Sequence, residues 1–217
     1  MISQMCLQAI FDAIKVYNVR QGKKYLIGYR ANSNKPFEFC EIILKKENFW
    51  HLVGTVISHN KTLDKNLLFE KCLLEDDISK ELDYTRRADD VIKKAKVFVK
   101  VFDFISNAKE LRIAKTDNSP EIAMFNLGAG TIHGVIGYVS TNSGYVPKTT
   151  QEKSIFKIDP NANDKINIII SKKIGEDEYS SLEYTISKKS TAEIISQLRC
   201  TIPDNIRISD SLQRENS

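Results

Sequence analysis

Apolar and polar residues recur along this chain with two different spacings, which divide it into a helical first half and a stranded second half. Between residues 4 and 17, apolar residues return every three or four positions, and this spacing predicts an amphipathic helix. Two strand-like runs follow at 25–29 and 37–44, separated by the turn-forming sequence Asn-Ser-Asn-Lys-Pro. The pattern therefore predicts a β-hairpin after the first helix.

Further helices are predicted in the first half. One begins near Glu47, a second covers about 64–74, and the third and longest runs over about 87–108. The second helix is expected to turn these residues inward: Leu67, Leu68, Cys72, Leu73 and Leu74. The third helix carries a continuous apolar stripe at helical spacing, which is typical of core: Val91, Ile92, Ala95, Phe98, Val99, Phe102 and Ile105.

From Leu111 onward, apolar residues alternate with polar ones, which is the pattern of strands. Strands are predicted at 111–113, 122–127, 132–140, 155–158, 166–171 and 179–186. We interpret 117–120, the Gly-Ala-Gly at 128–130 and the Thr-Asn-Ser-Gly at 141–144 as turns between them. Short strands joined by tight turns favour an antiparallel meander.

The C-terminal region combines a helix signal with a polar end. Ser190 and Glu193 have the spacing of a capping box, which predicts a closing helix to about Leu198. The polar sequence from Asp204 is expected to be loose. We therefore expect one α+β domain over residues 1–200, with a helical N-terminal half packed on the meander, and a flexible tail at 201–217.

Composition narrows the classes of protein. No apolar run approaches the ~20 residues that cross a bilayer, and the N-terminus does not resemble a secretory signal, so we expect a cytoplasmic protein. The four cysteines form no C-x-x-C pair and are expected to be reduced and buried, without a zinc site: Cys6, Cys40, Cys72 and Cys200. Net charge is +4, and the scattered basic pairs permit a nucleic-acid partner without establishing one.

Several familiar kinds of catalytic site are disfavoured by the sequence. The glycines at 128–130 lack the spacing of a phosphate loop and the Lys-Ser/Thr pair that follows one. The chain has no G-x-S-x-G nucleophile elbow. Adjacent acids such as Asp89 and Asp90 point in different directions on a helix, so they indicate a solvated face or helix-start charges. We expect neither a metal site nor a cofactor.

Two short segments offer chemistry. The sequence Asn48-Phe-Trp-His-Leu-Val-Gly places one of the three histidines beside the only tryptophan, at the start of a helix. Histidine can exchange a proton near neutral pH, although this segment alone favours a ring that packs or merely faces solvent. In the sequence Tyr145-Val-Pro-Lys-Thr-Thr, Pro147 indicates a strand end or an edge strand. Lys148 and Thr149 suit a phosphate, or form an ordinary exposed strand end.

The order of these two segments, with helices and a meander between them, resembles a family of phage- and mobile-element-associated nucleases. These are grouped with barnase, EndoU, the colicin E/D type and RelE, and are known as the BECR fold. The resemblance rests on an N-F-x-H-L-T-G box and a later x-P-x-S/T box, and spans about residues 25–186. Val53 replaces the usual threonine, which puts a hydroxyl role there in doubt, while Thr149 keeps the hydroxyl of the second box.

The resemblance implies a metal-independent, toxin-like or phage-conflict endoribonuclease that needs no cofactor. It assigns acid/base catalysis to His51, phosphate stabilisation to Lys148 and a hydrogen bond to Thr149. Substrate contacts are expected from these residues: Tyr145, Arg86, Arg87 and Asn48. RNA is the implied substrate, and an antitoxin or immunity protein is a possible partner. His133 is an alternative second acid/base, whereas His59 is a weaker candidate because it lies in an expected loop.

Two readings without catalysis remain open. A module of phage or mobile-element origin could bind nucleic acid through the basic pairs, or bind a protein through a sheet edge, since a fold does not fix a function. A structural phage protein is the third possibility, and it predicts stable self-assembly.

Overall fold

A computed structural model describes residues 3–57, 64–84, 87–116 and 125–214. The helices are α1 Gln4–Asn18, α2 Phe49–Leu52, α3 Lys65–Leu73, α4 Ala88–Val101, α5 Ile155–Ile158, α6 Thr191–Arg199 and α7 Ser211–Arg214, with 3₁₀ turns at Lys46–Asn48 and Lys188–Ser190. The strands are β1 Lys23–Arg30, β2 Glu38–Ile43, β3 Thr55–Ile57, β4 Leu82–Tyr84, β5 Arg112–Lys115, β6 Leu127–Gly130, β7 Val135–Thr141, β8 Gly144–Gln151, β9 Asp164–Lys173, β10 Glu178–Tyr179, β11 Ser181–Thr185 and β12 Arg207–Ile208. None of the described helices is long and apolar enough to cross a membrane.

The main sheet confirms the predicted α+β class. Its strand order is β1-β2-β8-β7-β6-β5-β9-β11, and β9 also pairs along β1, so the order closes on itself. Strands β5 to β8 form the predicted antiparallel meander, and β1 and β2 form the predicted hairpin. The contact between β2 and β8 is the parallel exception within this sheet, and it consists of Ile42 opposite Tyr145.

The helices of the first half cover one face of the sheet. Helix α1 packs along α4, and aromatic rings fill the space between the helices and the sheet. The ring of Tyr17 stacks on Phe102 with centroids 5.0 Å apart, and its hydroxyl donates to the carbonyl of Lys45 at 2.7 Å. This bond satisfies a polar group that burial would otherwise penalise. It also ties α1 to the turn that leads into α2.

The predicted apolar stripe of α4 is correct for its central residues, but it is too wide around the helix and too long. Phe98 and Phe102 are fully buried, but Val99 is 37% exposed and the helix ends at Val101. On α3, Leu68 and Cys72 point inward as expected, whereas Leu67 and Leu74 are exposed. Helix α4 also has 14 residues against 15 for α1, so it is not the longest. The apolar arc that faces the core is narrower than the sequence suggests.

The glycines at 128–130 belong to strand β6, so the predicted turn there is wrong. Gly128 pairs with both Ala114 and Gly137. A Cβ on Gly130 would lie 2.5 Å from the carbonyl oxygen of Gly134, which only glycine avoids. Glycine here permits close approach of a neighbouring chain segment rather than a change of direction.

Two further predictions in the second half are wrong. Residues 155–158 form helix α5 rather than a strand, because the Ser154 hydroxyl accepts from the Phe156 amide and caps one helical turn. The closing helix α6 exists, but the Ser190 side chain makes no capping hydrogen bond. The Thr191 hydroxyl instead bonds the carbonyl oxygens of Ser187 and Lys188.

Apolar residues of the C-terminal segment pack against the rest of the fold. Ile206, Ile208 and Leu212 join α6 in a second core on the sheet. Strand β12 pairs with β10, and Arg199 donates to the carbonyl of Ile208 at 2.7 Å. The apolar residues at 206, 208 and 212 bury surface that a flexible tail would leave in water. The packing is shown as far as Leu212, and the flexibility expected for the tail at 201–217 stays a prediction.

The cysteines follow the prediction with one exception. Cys6, Cys40 and Cys72 are buried free thiols, while Cys200 is exposed. Burial raises the pKa of the Cys40 and Cys72 thiols to about 12, so both stay protonated and unreactive at neutral pH. The expected turn at 117–120 and the start of the strand at 122–127 lie outside the described residues.

Candidate active site

Helix α2 presents His51 because its neighbours are buried. Phe49 and Leu52 are fully inaccessible and Trp50 is 2% exposed, whereas His51 is exposed. Phe49 packs edge-on against the rings of Trp50 and Phe69. A four-residue helix has little stability of its own, so this packing holds it in place. The imidazole is thereby projected from an anchored backbone.

The residues after α2 end the helix and continue the core. Gly54 has φ of 77°, the left-handed conformation that commonly follows a helix end and that glycine adopts without strain. Val53 is fully buried. Position 53, where the first box of the resembled family pattern has threonine, is therefore a packing position in this chain.

Strand β8 presents Lys148 at a β-bulge. Pro147 lies opposite Tyr138 and Thr149 lies opposite Gly137, so Lys148 is the extra residue in the ladder. A bulge re-aims a side chain, and such bulges are frequent beside active sites. The strand does not end at Pro147. Among the described strands, β8 pairs beyond Tyr145 only with β7, so the predicted edge-like setting is correct. An edge tolerates the missing N–H of proline.

The face of α4 that packs toward β7 and β8 is apolar in one half of the helix and polar in the other. Its C-terminal half is apolar there, since a Cβ on Gly134 would lie 2.3 Å from Val97 and 3.7 Å from Val101. Asp90 and Lys94 lie on the same face, seven and three residues before Val97, and Lys93 is adjacent. The N-terminal half of this face is therefore polar.

A cavity of about 630 Å³ opens where α2, β8 and this polar half of α4 meet. It brings His51 together with Lys148 and Thr149, which lie 97 and 98 residues later in the chain. The remaining lining residues are Asp90, Lys93, Lys94, Thr150, Gln151, Glu152 and Lys153. The volume lies within the range of small-molecule sites.

The electrostatics of the cavity favour neutral imidazole. Partial burial lowers the pKa of His51 below its ordinary 6.5, and repulsion from the ammonium groups of Lys148, Lys65 and Lys94 lowers it further. A histidine with a lowered pKa is unprotonated at neutral pH and can accept a proton. The lysines that cause this repulsion attract an anion. The arrangement can therefore hold a phosphate beside a base.

The cavity wall also contains a buried polar atom without a partner. Thr150 is 1% exposed, lies opposite the buried Ile136, and its hydroxyl has no hydrogen-bond partner among the described residues. The side-chain oxygen of Gln151 is likewise buried and unpaired. Unpaired buried polar groups are costly and are uncommon in native proteins.

The predicted substrate contacts are not gathered at this cavity. Tyr145 lies three residues before Lys148 and packs partly on the helical core. Asn48 ends the turn before α2, with a buried, unpaired side-chain oxygen, and Arg87 is the exposed residue before α4. None of the three lines the cavity, and Arg86 lies outside the described residues. Their roles in binding stay predictions.

The other histidines do not join the site. His133 is exposed in the connection between β6 and β7, where its backbone amide donates to the Thr131 hydroxyl at 3.0 Å, and it does not line the cavity. His59 lies outside the described residues. Within the described ranges, no group of three His, Cys, Asp or Glu side chains could hold a metal ion.

Sequence reasoning missed the contribution of α4. From the sequence, Asp90 is expected to be a solvated or helix-start charge, and Lys93 and Lys94 form one of the scattered basic pairs. The available signal was their spacing: Asp90 and Lys94 continue the face that carries Val97 and Val101. A polar extension of a buried face indicates that the helix passes from core to cleft.

Comparison with known families gives one match. The family model described as phage-Barnase-EndoU-ColicinE5/D-RelE like nuclease4 matches residues 9–188. The match includes both segments that form the cavity and confirms the resemblance drawn from the sequence. Neither the curated proteins nor the solved structures gave a match.

Proposed function

The chain belongs to this phage-associated Barnase-EndoU-ColicinE5/D-RelE-like nuclease family, and from that premise we propose that it is a metal-independent endoribonuclease. The observation that carries the proposal is the single cavity in which an exposed histidine meets a lysine and a threonine from a distant strand. A toxin-like or phage-conflict role in the cytoplasm would follow. The nuclease unit would comprise residues 1–200 together with the packed segment that follows them.

The proposed reaction needs a base, an anion-stabilising group and an acid. Neutral His51 removes the proton from a ribose 2′-hydroxyl. The 2′-oxygen forms a bond to the adjacent phosphorus, and the bond from phosphorus to the 5′-oxygen breaks. The products are a 2′,3′-cyclic phosphate and a 5′-hydroxyl, whose proton comes from an acid, for which the cavity offers the Lys148 ammonium.

Lys148 and Thr149 complete the proposed roles. The Lys148 ammonium stabilises negative charge on the phosphate as it develops, and the Thr149 hydroxyl donates a hydrogen bond. The lowered pKa of His51 supports its role as a base at neutral pH. A nuclease acting on cellular RNA also suggests an antitoxin or immunity protein as a partner.

The test is RNA cleavage in EDTA by the full chain, beside His51→Ala and His133→Ala variants. Both histidines are exposed, but His133 does not line the cavity, so it is the matched control. We expect 2′,3′-cyclic phosphate ends from the wild type and from His133→Ala, and none from a folded His51→Ala protein.

Other outcomes change the conclusion. Equal loss in both variants, or full activity of His51→Ala, contradicts the assignment of His51. Cleavage that EDTA abolishes contradicts metal independence. Tight RNA binding without cleavage by any of the proteins favours the non-catalytic binding module.

A further inference from the structure

The lysines of the cavity come from two walls. Lys93 and Lys94 belong to α4, whereas Lys148 and Lys153 belong to β8 and the residues just after it. Two carboxylates, Asp90 and Glu152, also line the cavity, so the net charge of its side chains is positive. A site of this charge attracts a polyanion and holds it between the walls.

The positive charge is spread along the cavity rather than gathered at one point. A strand rises about 3.3 Å per residue, so Gln151 lies roughly 10 Å along β8 from Lys148, and Lys153 follows it. The lysines of α4 face this length from the opposite wall. Several anionic groups in a row fit such an arrangement better than a single phosphate does.

The chemistry of the lining also bears on how a base would be recognised. Among the described residues that line the cavity, none is Phe, Tyr, Trp or Arg, and the imidazole of His51 is the one ring. Aromatic rings provide base stacking, and the arginine fork gives directional contacts, whereas lysine acts as a point charge. The cavity is therefore suited to the backbone of a nucleic acid more than to its bases.

We propose that the cavity is a track for a single-stranded polynucleotide, in which Lys93 and Lys94 hold phosphates next to the one at His51 and Lys148, with little selection among bases. This inference rests on the nuclease function proposed above and names the class of its substrate. It makes the polar half of α4 a substrate-binding wall.

The chain offers a matched control on the same helix. Lys96 and Lys100 line a separate groove between α1 and α4, together with Met5 and Ala9. The double variant Lys93→Gln, Lys94→Gln and the double variant Lys96→Gln, Lys100→Gln therefore remove the same charge from the same helix. They differ in whether the lost ammonium groups line the cavity.

The test measures binding of a twelve-residue oligothymidylate DNA by the full chain as a function of salt. DNA lacks the 2′-hydroxyl nucleophile, so binding is observed without cleavage. Each phosphate contact with a single strand contributes about 0.7 to the slope of log affinity against log salt, so the Lys93, Lys94 variant should lose about 1.4 of slope. The Lys96, Lys100 variant should keep the wild-type slope, and an oligoadenylate should bind within about threefold of the oligothymidylate.

Thermal melting establishes that each variant folds. If the Lys93, Lys94 double variant fails to fold, the single variant Lys93→Gln replaces it, with an expected loss of about 0.7 in slope. Equal losses in the two double variants, or no loss in either, would overturn the track. So would a strong preference for one homopolymer.

The outcomes separate this inference from the proposed activity. Slope loss confined to the Lys93, Lys94 variant, without any RNA cleavage by the wild type, keeps the track and rejects the enzyme. RNA cleavage with unchanged slopes in both variants keeps the enzyme and rejects the track.

Discussion

Helix α2 and strand β8 each deliver one side chain to the cavity, but they do so by different means. In α2, the other three residues are buried, so His51 is the one left to face the cavity. In β8, a shift of register leaves Lys148 outside the regular ladder. One segment positions its functional group by packing, and the other positions it by backbone irregularity.

Because of this difference, the residues that serve catalysis and the residues that stabilise the fold are distinct in α2 but overlap in β8. In α2, the two roles fall on different residues, so substitutions should affect either folding or cleavage. In β8, Pro147, Lys148 and Thr149 share one distorted stretch of backbone, so a change there can move its neighbours. In the first box, residues 48–54, most side chains therefore stabilise the fold, and His51 is the one proposed to react.

The largest expected effects test this separation within α2. His51→Ala should reduce RNA cleavage by about 10²–10⁴-fold, the usual contribution of a general acid or base, and should change the free energy of unfolding by less than about 0.5 kcal/mol. Phe49→Ala should destabilise the protein by about 3–5 kcal/mol, because it empties a fully buried aromatic site. Cleavage assays and urea denaturation of both variants provide the measurement. Strong destabilisation by His51→Ala would show that the imidazole is part of the packing.

A smaller effect is expected at the bulge. Lys148→Gln should lower the cleavage rate by about 10²-fold, because it removes a charge that faces the reacting phosphate. Lys157, on α5 and outside the lining of the cavity, provides the matched Lys→Gln control. Single-turnover rates at saturating enzyme separate the chemical step from binding. Equal rates for both variants would exclude Lys148 from the reaction.

The pH dependence links the two segments. Burial and then repulsion from Lys148 lower the pKa of His51, so cleavage should lose activity only below the ordinary histidine pKa of 6.5. In Lys148→Gln the repulsion is removed, so the pKa of His51 should rise and the acidic limb of the rate profile should move to higher pH. A limb that does not move would mean that the two groups are too far apart to interact. ¹H–¹⁵N spectra of the imidazole would follow the same titration without cleavage.

The sequence predicts the elements whose pattern is local. The spacing of α1, the hairpin of β1 and β2, and the meander all follow from periodicity and turn residues. It fails at Gly128, because a glycine that permits close approach looks the same as one that permits a turn. It also does not show the packing of Ile206 and Ile208, because isolated apolar residues in a polar end show their partners only once the chain is folded.

The candidate site likewise contains residues that the sequence predicts and residues that it does not. His51 and Lys148 could be found because the two segments that carry them resemble a family pattern. Lys93 and Lys94 could not, since a charged helix face has the same periodicity whether water or β8 lies opposite. Thr149 is singled out by the family pattern alone, because the sequence does not show which of Thr149 and Thr150 is the buried one. Thr150 faces the buried Ile136 only because the bulge at Lys148 resets the alternation of the strand.

The smallest expected effect concerns Thr150, whose side chain the bulge turns toward the interior. The hydroxyl of Thr150 is buried without a hydrogen-bond partner in the described part of the chain, so Thr150→Val replaces it with a methyl group of similar shape and removes a desolvation cost. The protein should become more stable by about 1 kcal/mol in urea denaturation. Thr149→Val, at the half-buried neighbour, is the control and should leave stability nearly unchanged. A loss of stability in Thr150→Val would show that the hydroxyl has a partner, such as an ordered water.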